Sequence, residues 1–189
     1  MQIPKRLESL LAQDPALDGA VKASVATLEV WISGKQLTFF PEYTDHGIKH
    51  LEAVLATEVA LIREAAWEIL TPQDAGVLLL STVLHDCAMH LTDAGWVSLL
   101  QDPWANRTLP NRNERSWTDL WEDFLAETSR FDGRTLKSLF GDLTTPRRPP
   151  SNSMDLTKRD RMLIGEFLRR HHPRLAEEVA VFGVPGTRS

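Results

Sequence analysis

Apolar residues along this chain recur at helical spacing and nowhere sustain the alternation of a strand. Leu7, Leu10 and Leu11 open a short amphipathic segment that Pro15 interrupts. Val21, Val25, Leu28 and Ile32 repeat on one helix face, and the pattern stops near Gly34. From Asp45 to Leu70 the residues Ile48, Leu51, Val54, Leu55, Val59 and Ile62 form one broad face, with Asp45 placed to cap the segment. Thr71-Pro72-Gln73-Asp74 is a helix-start signal: a hydroxyl cap, proline at the first helical position and an acidic third residue. The helix it opens is expected to run through Val77-Leu78-Leu79-Leu80 and Val83-Leu84 to about Met89. It is apolar on nearly all sides, which predicts a central buried helix.

Thr92 is placed to cap a short helix carrying Trp96, Leu99 and Leu100. Ser116-Trp117-Thr118-Asp119 starts another that carries Leu120, Trp121, Phe124 and Leu125. Between them, Asp102 to Arg115 reads as a loop. Gly141 to Ser153, with Pro146, Pro149 and Pro150, reads as a surface excursion. Helix is expected again from Thr157 to about Arg170, and Val181-Phe182-Gly183-Val184-Pro185-Gly186 breaks it. No repeat period appears, so the fold class predicted is all-α.

Composition narrows the class. The 189 residues are 42% hydrophobic and 25% charged, enough for a packed core and unlike a disordered chain. A net charge of -5 gives no general attraction to nucleic acid or anionic membrane. Arg147, Arg148, Lys158, Arg159, Arg161, Arg169, Arg170 and Arg174 nevertheless crowd the last third, where a basic patch is the thing to look for. The single cysteine, Cys87, excludes an internal disulfide framework and a Cys-rich zinc site, and reads as a small buried hydrophobe. No apolar run approaches the length needed to span a bilayer, and the first residues have no signal-peptide core, so no membrane partner and a cytoplasmic location are expected.

The six histidines fall in three places: His46 with His50, His85 with His90, and His171 with His172. Four residues apart at the start of an expected helix, His46 and His50 would share a face. His85 and Asp86 end the most apolar helix. Adjacent helical side chains diverge by about 100°, yet both can reach one ion held above a groove between helices. An aspartate after so apolar a stretch is costly to bury unless paired or metal-bound. Imidazoles with a carboxylate and no thiolate suit a divalent transition metal (Mn, Fe, Ni, Co or Zn). A structural hydrogen-bonded His/Asp cluster is the bland alternative. A zinc-protease helix is disfavoured, because Gly47 stands where its catalytic Glu would be, and no phosphate-binding Gly-rich loop or nucleophile elbow is present.

His50-Leu51-Glu52-Ala53-Val54 followed by Leu84-His85-Asp86 resembles the HD superfamily of metal-dependent phosphohydrolases. Phe40-Pro41-Glu42-Tyr43-Thr44-Asp45-His46-Gly47-Ile48-Lys49-His50 and the later Arg169-Arg170-His171-His172 are similar to a bacterial subgroup whose N-terminal HD domain precedes an Hsp90-like ATP-binding module. The resemblance implies an HD-type helical bundle over 37–189, after an N-terminal helical segment over 1–36, and a C-terminal partner module in a longer bacterial protein. It implies His50, His85 and Asp86 as metal ligands. His172, with His171 as the alternative, would take a second-metal, catalytic or phosphate role, so one or two ions are expected. His46, His90, Lys49, Arg169 and His171 would face the substrate, Arg169 also steadying charge in catalysis.

The implied activity is hydrolysis of a phosphate ester, whether nucleotide, cyclic nucleotide or nucleic-acid end, by metal-activated hydroxide. HD domains usually add an Asp on a later helix. After His172 this chain offers only Glu177 and Glu178, which implies either missing last helices or a shortened site. That departure supports the alternative of a non-catalytic sensory or interaction module in a stress or phage-defence protein.

Overall fold

Side-chain caps set where most of these helices begin. The computed structural model describes residues 1–33, 37–42, 46–101, 115–151 and 153–186. Every regular element among them is helical: α1 (Lys5–Leu11), α2 (Pro15–Ile32), α3 (Ile48–Leu61), α4 (Glu64–Trp67), α5 (Pro72–Leu84), α6 (Asp93–Leu100), α7 (Trp117–Thr128), α8 (Gly133–Phe140) and α9 (Lys158–Phe182), with 3₁₀ turns at Cys87–His90 and Ser153–Asp155. The all-α expectation holds. Asp14, Thr71, Thr92, Ser116, Asp132 and Thr157 each accept a hydrogen bond from a first-turn backbone N–H. Thr71–Asp74 and Thr157–Asp160 are full capping boxes.

The chain divides into two compact units. One comprises residues 1–35 and 43–90, the other 36–42 and 91–189. In the first, Leu7, Leu10 and Leu11 of α1, Val21, Val25 and Ile32 of α2, Leu51 and Leu55 of α3 and Ala75, Leu79 and Val83 of α5 form one apolar core. Full burial of each such side chain contributes roughly 1.5–3 kcal/mol. A β-carbon built on Gly76 of α5 would lie 3.3 Å from Val21 of α2, so that glycine sits in a close contact between the two helices.

In the second unit the core is aromatic. Trp121 and Phe167 meet edge to face at 5.1 Å between ring centroids, with Trp96, Trp117 and Phe124 around them. Segment 37–42 lies on α9 so tightly that a β-carbon at Gly165 would stand 2.1 Å from the Phe39 carbonyl oxygen; only glycine fits there.

Four expectations need correction. The segment expected as one helix from Asp45 to Leu70 is two: α3 starts only after Gly47, and extended backbone at Ile62 and Arg63 separates it from α4. No glycine or proline marks that break in the sequence, and Asp45 itself lies outside the described residues. Helix α5 stops at Leu84 rather than Met89, because the chain tightens into a turn at His85-Asp86 and then 3₁₀ geometry. Nor is α5 apolar-buried all round: Val77 is 69% exposed. Finally α9 continues past Arg170, through Pro173, to Phe182. The amphipathic helix α8, closed by Gly141 at φ 80°, has no counterpart among the expected elements. The expected 102–115 loop lies, apart from Arg115, outside the described residues.

Candidate metal centre

The first unit brings four of the expected site residues together around one oxygen. His85 caps α5 with helical backbone, and Asp86 follows it in the turn. From His85, Nε2 reaches Oδ2 of Asp86 at 2.9 Å, and from His46, Nδ1 reaches the same oxygen at 3.1 Å. His50 on α3 has Nε2 at 3.5 Å from it. The rings of His46 and His50 lie 4.9 Å apart, those of His50 and His85 5.8 Å.

One potential ligand atom each from His46, His50 and Asp86 falls within a 4.8 Å sphere of mutual distances, which suits a single small cation. The sequence reading put His46 toward substrate. Here His46, and not His85, joins His50 and Asp86 in the ligand set grouped among the described residues, and it gets there from the coil before α3, not from the helical face expected of it.

The orientation of His85 is imposed from behind. Its Nδ1–H donates to the carbonyl of Thr82 at 2.6 Å, which aims Nε2 at Asp86. This is the arrangement by which imidazole ligands are usually held. The buried hydroxyl of Thr82 donates to Oε2 of Glu58 at 2.6 Å. Burial alone would raise the Asp86 carboxyl, but the protonated form of His85, which donates from both ring nitrogens, and then His46 overcome it and hold it down at about 2. The bond to Asp86 raises His85, against its partial burial. The aspartate is therefore ionised throughout the neutral range, as a ligand must be. Half-buried imidazoles on a carboxylate, with one tautomer fixed, fit a divalent transition metal.

His90 is buried, and its Nε2–H donates to the carbonyl of His46 at 3.1 Å. Burial, and next the Asp86 charge, pushes the Cys87 thiol up to about 12, which keeps it protonated and inert as expected. Lys49 is exposed on α3.

His171, His172 and Arg169 belong to the second unit. His171 packs its ring on Phe167 at 4.7 Å and faces Trp117 at 6.0 Å; burial, with Arg174 and Arg170, lowers its pKa. His172 donates from Nδ1 to the Arg169 carbonyl at 2.7 Å. That carbonyl is the one a residue at 173 would engage in an unbroken helix, and Pro173 has no N–H to offer it. Arg169 itself forms a two-pronged pair with Glu166.

The expected basic patch is balanced within the same unit. Arg147 faces Asp160, Arg148 Glu122, Lys158 Glu42, Arg159 Asp142, Arg161 Asp93, Arg169 and Arg170 Glu166, and Arg174 Glu178. Glu178 is fully buried against the Trp117 indole N–H and Arg174.

Sequence reasoning missed Thr82, Glu58 and Trp31, whose indole N–H donates to the His90 carbonyl at 3.1 Å. The threonine alone left a trace, a polar residue three before His85 in an apolar helix. No described helix is long and apolar enough to cross a membrane. An HD-CE family model matches residues 40–188. No curated protein and no solved structure matches the chain.

Proposed function

The chain belongs to the HD-CE family over residues 40–188, and from that premise we propose that it is a metal-dependent phosphohydrolase acting on a nucleotide, cyclic nucleotide or nucleic-acid phosphate ester. The observation that carries this reading is the convergence of three imidazoles on Oδ2 of Asp86. On this reading His50, His85 and Asp86 hold the ion, with His46 completing the set, and 37–189 is the HD-type domain onto which the 1–36 segment packs through α5. A divalent transition metal (Mn, Fe, Ni, Co or Zn) supplies Lewis acidity toward a phosphoryl oxygen and acidifies water.

The protein's own part is to hold the ligands. Asp86 stays ionised, Thr82 keeps His85 in one tautomer, and exposed Lys49 adds positive charge beside His50 for an anionic substrate. His172, His171, His90 and Arg169 are retained as candidates for the substrate side or a second ion. A C-terminal partner module, a bacterial source and a cytoplasmic location remain part of the proposal.

The test is metal content of the purified protein, then release of phosphate or nucleoside from a panel of phosphate esters with Mn or Ni. Loss of both metal and turnover in His85→Ala and Asp86→Ala is expected. Unchanged hydrolysis in those variants, or no metal uptake by the wild type, overturns the reading. Nucleotide binding without any turnover would favour the non-catalytic sensory or interaction module instead.

A further inference from the structure

We infer that His90 is a positioning residue that holds His46 in the metal centre, an inference that rests on the metal-site reading above. His46 precedes α3, and the first helical bond at that end uses the next carbonyl along, from Leu51 N–H to Gly47. The His46 carbonyl lies one residue ahead of that bond. It accepts from His90 Nε2 at 3.1 Å, across 44 residues of sequence.

His90 is well placed for this. It closes the 3₁₀ turn that begins directly after Asp86, where Met89 N–H donates to the Asp86 carbonyl at 2.9 Å. The ring is buried, and the His90 carbonyl is itself gripped by the Trp31 indole on α2. One rigid turn thus carries the Asp86 carboxylate at one end and fixes the His46 backbone from the other. Those two residues meet at 3.1 Å between Nδ1 of His46 and Oδ2 of Asp86. A buried imidazole N–H spent on a backbone carbonyl makes no contact with an ion. On this inference its effect on the ion passes through His46, and this is a testable restriction.

The experiment titrates full-length protein with Co(II) alone, reading affinity and the visible ligand-field bands, with helicity by circular dichroism as the folding control. His90→Leu, which removes the donor, should weaken Co(II) binding about 10- to 100-fold and move the bands toward those of His46→Ala. His90→Gln, whose amide can reach the same carbonyl, should restore most of the affinity. In a His46→Ala background, His90→Leu should add no further loss, whereas a general structural defect would add in full. If leucine prevents folding, His90→Asn, polar but too short to reach, takes its place with the same expected loss. Wild-type affinity and bands in a folded His90→Leu or His90→Asn protein, or additive losses in the double variant, overturn the inference and leave the metal centre standing. No Co(II) binding by the wild type removes the metal centre and this inference together.

Discussion

His85 donates its Nδ1 proton to the carbonyl of Thr82, one turn earlier on α5, and thereby turns Nε2 toward Asp86 at 2.9 Å. The bond uses the main chain of Thr82, while the threonine side chain serves Glu58. The two jobs of one residue are therefore separable by substitution.

Thr82→Val keeps the shape and the carbonyl but removes the buried hydroxyl and its bond to Glu58. The expected outcome is a loss of about 1–2 kcal/mol in urea unfolding, with metal affinity changed only slightly. A large loss of metal with intact stability would show that Glu58 acts on the centre directly.

Glu166 governs the acid side of the second unit. Burial pushes its carboxyl up, but hydrogen bonds and charge from Arg169 and Arg170 pull it below the ordinary value. A depressed folded-state pKa contributes stability above the unfolded value near 4.3, and that contribution is lost as pH falls through the lower folded-state value. Melting curves between about pH 5 and pH 3 should therefore fall less steeply for Glu166→Gln than for wild type. At pH 7 the variant should be less stable by about 1–2 kcal/mol, a figure reduced for solvent at half-exposed Arg169. Parallel acid profiles would refute the assignment.

Glu178, one of the two glutamates that follow His172, is sealed against Trp117 and Arg174. Glu178→Ala takes the carboxylate from the mostly buried Arg174, and should cost about 3–5 kcal/mol. Glu178→Gln should be milder and should leave metal content unchanged, by elemental analysis of folded protein. Metal loss in the Gln variant would make it a ligand.

The caps and the core faces were legible because they depend on near neighbours: Thr71, Thr92 and Ser116 act within three residues, and Leu51 with Leu55 lie on one helical face. His50, His85 and Asp86 were legible from the cost of burying an aspartate and from family resemblance. What the pattern could not show was the break at Ile62, where no residue type forbids helix, or the placement of His46 by a coil. Bonds such as Trp31 to His90, 59 residues apart, leave no local signal. The crowd of arginines misled for a related reason. Composition displays the cations of one segment, while their carboxylate partners Asp93, Glu122, Glu127 and Asp142 come from others.

Proline 173 has a consequence for proton placement. It has no N–H to offer the Arg169 carbonyl; His172 serves that acceptor, and the ring must carry its proton on Nδ1 to do so. In the first unit the Thr82 carbonyl makes the same demand on His85. In both places a backbone oxygen three residues upstream selects the tautomer. The neutral form of each ring is then left with its lone pair on Nε2, the distal nitrogen, so the main chain decides which atom of each histidine is available to bind.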